Sequence, residues 1–202
     1  MTRASKGQYS QDDERPRRMQ LWYLVSLLAA SGLRSSALCS SAESSLRWGD
    51  IEETDVQVEV TRMSNDTRGS KRALLLKIRD ATKTGRRTVS ALVGHYIDRL
   101  RELNPKHTKP DDPLFCDFRG QPLPLFHLRL HWNDVVSQWG FDCFHLTFYT
   151  LRYPYTTEPL KRGVSVTLVS RALGTSTKNV ENVYGHVIMS EEGMIRSLYA
   201  TQ

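Results

Sequence analysis

The chain has 202 residues, 39% hydrophobic and 25% charged, which suits one ordinary domain with its own core and excludes a disordered or membrane-embedded chain. Its 28 basic residues outnumber 22 acidic ones for a net charge of +6, and 20 of the 28 are arginine. Arginine's planar fork grips phosphate bidentately, so the excess fits a phosphate-rich partner and, equally, a generic basic surface. The longest apolar stretch, 21–30, is broken by Ser26 and is far too short to span a bilayer. No charged n-region leads into an apolar core with a cleavage site, so no secretory signal is read. Three widely spaced cysteines, Cys39, Cys116 and Cys143, suggest free thiols in a reducing, intracellular compartment.

Residues 1–18 are polar and basic and read as a mobile tail or the end of a linker. Leu21, Leu24, Leu27 and Leu28 then recur at helical spacing, with Gly32 as the residue that ends the helix. A second short helix is predicted over 36–44. The period then changes: Val56, Val58 and Val60 alternate with Gln57 and Glu59, which predicts a half-buried strand. Residues 73–78 and 87–92 predict two more strands, joined by the tight turn Thr82-Lys83-Thr84-Gly85. Helices follow over 92–103, 125–139, 150–160 and 166–173, the last closed by Gly174, and the loop 104–113 separates the first two. Pro159 is expected to kink or end the third of these. Ser176 is a good N-cap for the helix that carries Tyr184, and an amphipathic segment, 189–199, ends the chain. The fold class is α+β, mostly helical with a small three-stranded antiparallel sheet.

Four segments stand together: Ser31-Gly32-Leu33-Arg34; Thr82-Lys83-Thr84-Gly85-Arg86-Arg87; Tyr149-Thr150-Leu151-Arg152; and Leu173-Gly174 followed ten positions later by Tyr184. In this order and spacing, from about residue 18 to 200, they resemble the catalytic domain of the tyrosine recombinases, the phage integrase and Xer family. Leu46, Trp48, Asp50 and Ile51, and the run Tyr184-Gly185-His186-Val187, resemble its framework.

The resemblance implies that Arg34 and Arg152 clamp the non-bridging oxygens of a scissile phosphodiester, where charge gathers in the transition state. It implies that Tyr184 is the nucleophile, forming a 3′-phosphotyrosine and freeing a 5′-hydroxyl, and that Lys83 protonates the departing oxygen. Because the bond energy stays in the ester, no cofactor, metal or ATP is implied. Arg79, Arg86 and Arg87 flank the lysine and are assigned to backbone phosphates, although cations on a hairpin ordinarily face only water. Three family positions differ. An acidic residue after the first arginine is Ala37 here, a histidine is Tyr149, and a histidine or tryptophan is Thr175. Tyr149 and Thr175 can each donate a hydrogen bond but are poor neutral-pH bases. Either the enzyme works with these neutral donors, or the domain is a DNA-binding accessory whose cleavage has weakened.

Cys116, His127, His131, Cys143 and His145 fit no common zinc spacing, so no metal site is assigned. The resemblance further implies double-stranded DNA as partner, a homotetramer on DNA with residues 189–199 docking on a neighbour, a monomer without DNA, no membrane, and a prokaryotic or viral setting. It also implies that residues 19–202 form the catalytic domain and that the family's N-terminal DNA-embracing domain is missing from this chain.

Overall fold

The computed structural model describes residues 11–39, 43–62, 65–79, 86–91 and 94–188. The leucine periodicity builds α1 (Gln11–Ser31), whose Leu21, Leu24, Leu27 and Leu28 are all buried. Gly32 ends it in the left-handed region, φ 62°, and donates its N–H back to the Leu28 carbonyl at 2.9 Å. The helix begins at Gln11, inside the stretch read as a tail. The next helix, α2 (Ser35–Leu38), is only four residues long. The expected continuation through 44 fails because the backbone turns extended at Cys39, with Ala37, Leu38 and Cys39 already inside the core.

A 3-10 turn at Trp48–Asp50 leads into the sheet, β1 (Ile51–Arg62), β2 (Asn65–Ile78) and β3 (Arg87–Ala91), in the order β1-β2-β3 and antiparallel throughout. The register pairs Ile51 with Leu76, Leu74 with Ala91, and Ile78 with Arg87. The predicted Thr82–Gly85 turn and the 189–199 segment lie outside the described residues.

The remaining helices are α3 (Gly94–Leu103), α4 (Leu125–Gln138), α5 (Arg152–Lys161), α6 (Val166–Leu173) and α7 (Thr177–Ile188), with a 3-10 turn, Phe148–Leu151, ahead of α5. Between α3 and α4 the chain is irregular but pinned. Leu114 N–H reaches the Leu46 carbonyl at 2.8 Å, and the buried Gln20 amide exchanges two bonds with the Cys116 backbone, at 2.9 and 3.2 Å. Ser165 caps α6 through its hydroxyl, and Ser176 caps α7, accepting from Asn179 N–H at 3.2 Å.

The expected break at Pro159 does not occur: α5 runs through both Pro154 and Pro159. Pro154 sits in the first turn, where no N–H is missed. Pro159 sits in the last, so the helix ends two residues beyond it, and Arg162 N–H closes onto the Glu158 and Pro159 carbonyls. The buried Leu160 holds that final turn against its neighbours.

The described residues form two apolar clusters. The larger joins α1, the sheet, α3 and the loop ahead of α4 through residues such as Leu24, Leu38, Leu74, Leu100 and Phe115. The smaller consists of Leu160, Val169, Leu173, Val180 and Tyr184. Each fully buried leucine contributes about 2 kcal/mol, so the first cluster dominates stability. Helix α5 packs against α1 on one side and against α6 and α7 on the other.

Candidate active site

Where the clusters meet, Arg152 is buried to 3% exposure at the first residue of α5. Its Nη1 donates to the Gly32 carbonyl at 2.6 Å and its Nη2 to the Leu173 carbonyl at 2.9 Å. Those carbonyls end α1 and α6, so the buried cation is compensated by the negative ends of two helices as well as by hydrogen bonds. Burial pushes its pKa down, Arg34's charge adds to that, and the phenols of Tyr149 and Tyr184, the latter in side-chain hydrogen-bond contact, oppose it. Arginine remains charged under such pressure.

Arg34 lies two residues beyond Gly32, where the chain runs extended from α1 into α2. Its Nη1 is buried and has no hydrogen-bond acceptor among the described residues. The side chain borders a cavity of about 560 Å³ that Arg129, Trp132, Asn133, Cys143 and Tyr149 also line. Trp132 steadies that wall, donating to the Leu146 carbonyl at 2.6 Å and packing 5.4 Å from the Phe148 ring. Tyr149, on the turn ahead of α5, is 56% exposed beside this cavity. Ala37, which stands where a carboxylate could hold Arg34, is buried in the larger cluster.

Tyr184 is 4% exposed and belongs to the smaller cluster. Its ring lies 5.5 Å from that of Tyr153, whose hydroxyl bonds His186 Nε2 at 2.7 Å. Tyr153 and His186 therefore brace the tyrosine's ring. The sequence gives neither a role at the site: Tyr153 follows Arg152 directly, and His186 belongs to the Tyr184-Gly185-His186-Val187 run that reads only as framework. Thr175 follows the left-handed Gly174 (φ 61°) and accepts a bond from the Asn179 amide at 3.0 Å, with its own O–H still able to donate.

Of the three arginines assigned to DNA, Arg79 forms a bidentate pair with Asp50, at 2.7 and 3.1 Å, which neutralises it. Arg86 is exposed beside it, lining a second cavity with Arg79. Arg87 borders that cavity too, but its guanidinium reaches inward and lies against Gly174. Burial lowers its pKa, with the charges of Arg152 and Arg34 adding to the effect. Lys83 lies outside the described residues.

Cys39 and Cys116 are buried free thiols, pushed up to about 12 and about 11 chiefly by burial, and Cys39 Sγ donates to the Leu123 carbonyl. Among the described residues no three His, Cys, Asp or Glu side chains converge as metal ligands, and no helix is long and apolar enough to cross a membrane.

A small antiparallel sheet set among helices, with arginines and a tyrosine brought to one seam, defines the fold as a tyrosine-recombinase catalytic domain. Comparison with known proteins agrees. The family model described as the phage integrase family matches residues 7–191, and the chain belongs to that family. Tyrosine recombinase XerC of Bacillus subtilis (strain 168) is 28% identical over 192 residues, 93% of this chain and 55% of the relative. Tyrosine recombinase XerC of Bacillus pumilus (strain SAFR-032) is 25% identical over 165 residues, 81% of this chain and 48% of the relative. The chain thus spans about half the length of the curated relatives it matches. Among solved structures, the XerH site-specific recombinase bound to its difH substrate in a pre-cleavage complex superimposes with a TM-score of 0.61. That match has 18% identity and covers 90% of this chain and 45% of the other, a likeness of fold.

Proposed function

We propose that this chain carries the catalytic centre of a site-specific DNA recombinase. The observation that carries the reading is the seam itself: Arg34, Arg152 and Tyr184 come from three separate elements to one place. Arg152 is preorganised by two helix-terminal carbonyls, so little of its geometry must be bought at the moment of reaction. In this reading Arg34 and Arg152 hold the non-bridging oxygens of a scissile phosphate. The Tyr184 oxygen gives its proton to a water molecule and bonds to phosphorus as the bond from phosphorus to the 5′-oxygen breaks. Lys83 delivers a proton to that leaving oxygen. The products are a 3′-phosphotyrosyl ester and a free 5′-hydroxyl, and reversal with another 5′-hydroxyl rejoins strands. Tyr149 and Thr175 act as neutral donors to the phosphate. The chemistry needs neither ATP nor a metal ion.

The partner is double-stranded DNA, with Arg86 toward the backbone, Arg87 turned inward against Gly174 and Arg79 turned to Asp50. Four copies assemble on two duplexes through the segment after Ile188, and the protein is a monomer without DNA. Integration or excision of a mobile element is the setting such strand exchange serves. The second reading, a DNA-binding accessory with weakened cleavage, is favoured by Ala37, Tyr149 and Thr175, which remove a carboxylate and two stronger side chains from around the clamp.

A library of nicked duplexes with randomised sequence around the nick tests both readings. Covalent capture is expected to yield a denaturation-resistant protein–DNA adduct, abolished by Tyr184→Phe, and to reveal the preferred site. Selective DNA binding with no adduct from any pool would establish the accessory reading instead.

A further inference from the structure

We propose that Arg87 is a third arginine of the phosphate clamp, reaching the scissile phosphate across Gly174. This deepens the recombinase reading and rests on it. The placement begins with β3, where Arg87 shares the inward face with the buried Val89 and Ala91 while Arg86, Thr88 and Ser90 face out. Its pairing with the buried Ile78 holds it at the sheet edge nearest the seam, and α6 packs across β3 at that point. A Cβ on Gly174 would stand 2.5 Å from Arg87 Cζ and 2.6 Å from its Nε, so any side chain there displaces the guanidinium. The preceding residue, Leu173, gives its carbonyl to Arg152. Two guanidinium groups therefore meet at the C-terminus of α6, and the third, Arg34, stands two residues beyond the Gly32 whose carbonyl Arg152 holds, close enough for its charge to act on both.

Three like charges drawn together repel one another, as the lowered pKa values of Arg87 and Arg152 reflect. Arg34 Nη1 adds a buried donor without an acceptor among the described residues. An anion with several oxygens relieves both conditions at once, and the charge gathered on a phosphodiester in its transition state is such an anion. Tyr149 and Thr175 supply hydrogen bonds without charge, so added positive charge must come from another element.

The test uses the nicked duplex recovered by covalent capture, with single-turnover adduct formation followed at saturating protein and DNA affinity measured separately. Arg87→Gln is expected to slow adduct formation at saturation by about 100-fold, the loss typical of one transition-state donor, with unchanged melting temperature. Arg87→Lys, which keeps the charge, is expected to recover part of the rate, something a purely structural role does not predict. If Arg87→Gln fails to fold, Arg87→Lys decides alone, a rate at least about tenfold below the unaltered chain supporting the assignment. An unchanged rate at saturation, with or without weaker binding, overturns it and leaves the recombinase reading intact. No adduct from the unaltered chain overturns the recombinase reading, and this inference with it.

Discussion

The two apolar clusters differ in size and in what they contribute. The larger is a conventional core of leucines, with helices on a sheet, and it carries Arg34 and Arg87 at its edge. The smaller has five buried hydrophobic residues, and one of them is Tyr184 itself. A tyrosine proposed to attack phosphorus thus doubles as packing for the weaker region, while a buried arginine spans the gap between the regions. The site exists only while the clusters stay docked, and a polar tie at the ends of α1 and α6 holds part of that docking.

The largest expected effect on stability comes from breaking the tie's geometry. In Gly32→Ala the added methyl meets left-handed backbone and the Tyr155 ring, 2.2 Å away, for a combined cost of about 3 kcal/mol by thermal or denaturant unfolding. Arg152→Ala leaves two carbonyls without their charged donor but relieves repulsion with Arg34 and Arg87, for a net loss of about 2 kcal/mol. Hydrogen exchange is expected to show that loss mainly in α6 and α7, and cleavage should vanish while salt-sensitive DNA binding persists. Equal loss of protection throughout α1 and the sheet would show that the clusters do not open separately. Arg79→Ala and Asp50→Ala are each expected to cost about 1 kcal/mol and to couple in a double-mutant cycle, since their bidentate pair is partly buried within the larger region.

Arg34→Ala sharpens the contrast in the opposite sense. Its guanidinium is proposed to serve the phosphate rather than the fold, so stability should stay within about 0.5 kcal/mol while adduct formation is lost. Smallest of all is a local acid response in the loop after α4. Asp142 accepts Phe144 N–H at 2.8 Å and pairs with the His145 ring at 2.6 Å, and these hold its pKa below the ordinary 3.8. Because the folded value is depressed, the contribution is present above pH 3.8 and fades as pH falls through the lower folded value. The Phe144 amide resonance should follow that change, and Asp142→Asn should abolish it.

Much of the fold is legible from neighbouring residues. The leucine spacing of α1 with Gly32, α6 with Gly174, and the Ser176 cap of α7 all appear in the structure, because stops and caps depend on side chains within one turn. The helix through Pro159 was not legible, since a proline's effect depends on how near the helix already is to its end and on the burial of Leu160. The inward turn of Arg87 was available in the alternation of Arg87, Val89 and Ala91, but a run of basic residues draws attention to charge rather than to period. Arg79 was grouped with Arg86 and Arg87 for the same reason, and its partner Asp50 lies 29 residues earlier, beyond any local pattern.

By itself the sequence determined which residue types are available, where most helices start and stop, and the motif order that marks the family. It could not separate Arg34 from Arg152, which read there as two equal halves of a clamp. Tertiary structure decided that one is buried and tied while the other lines an open cavity. The reason is range: helix caps act over a few residues, whereas the two carbonyls that hold Arg152 belong to residues 120 and 21 positions away, brought to it only when the two clusters pack.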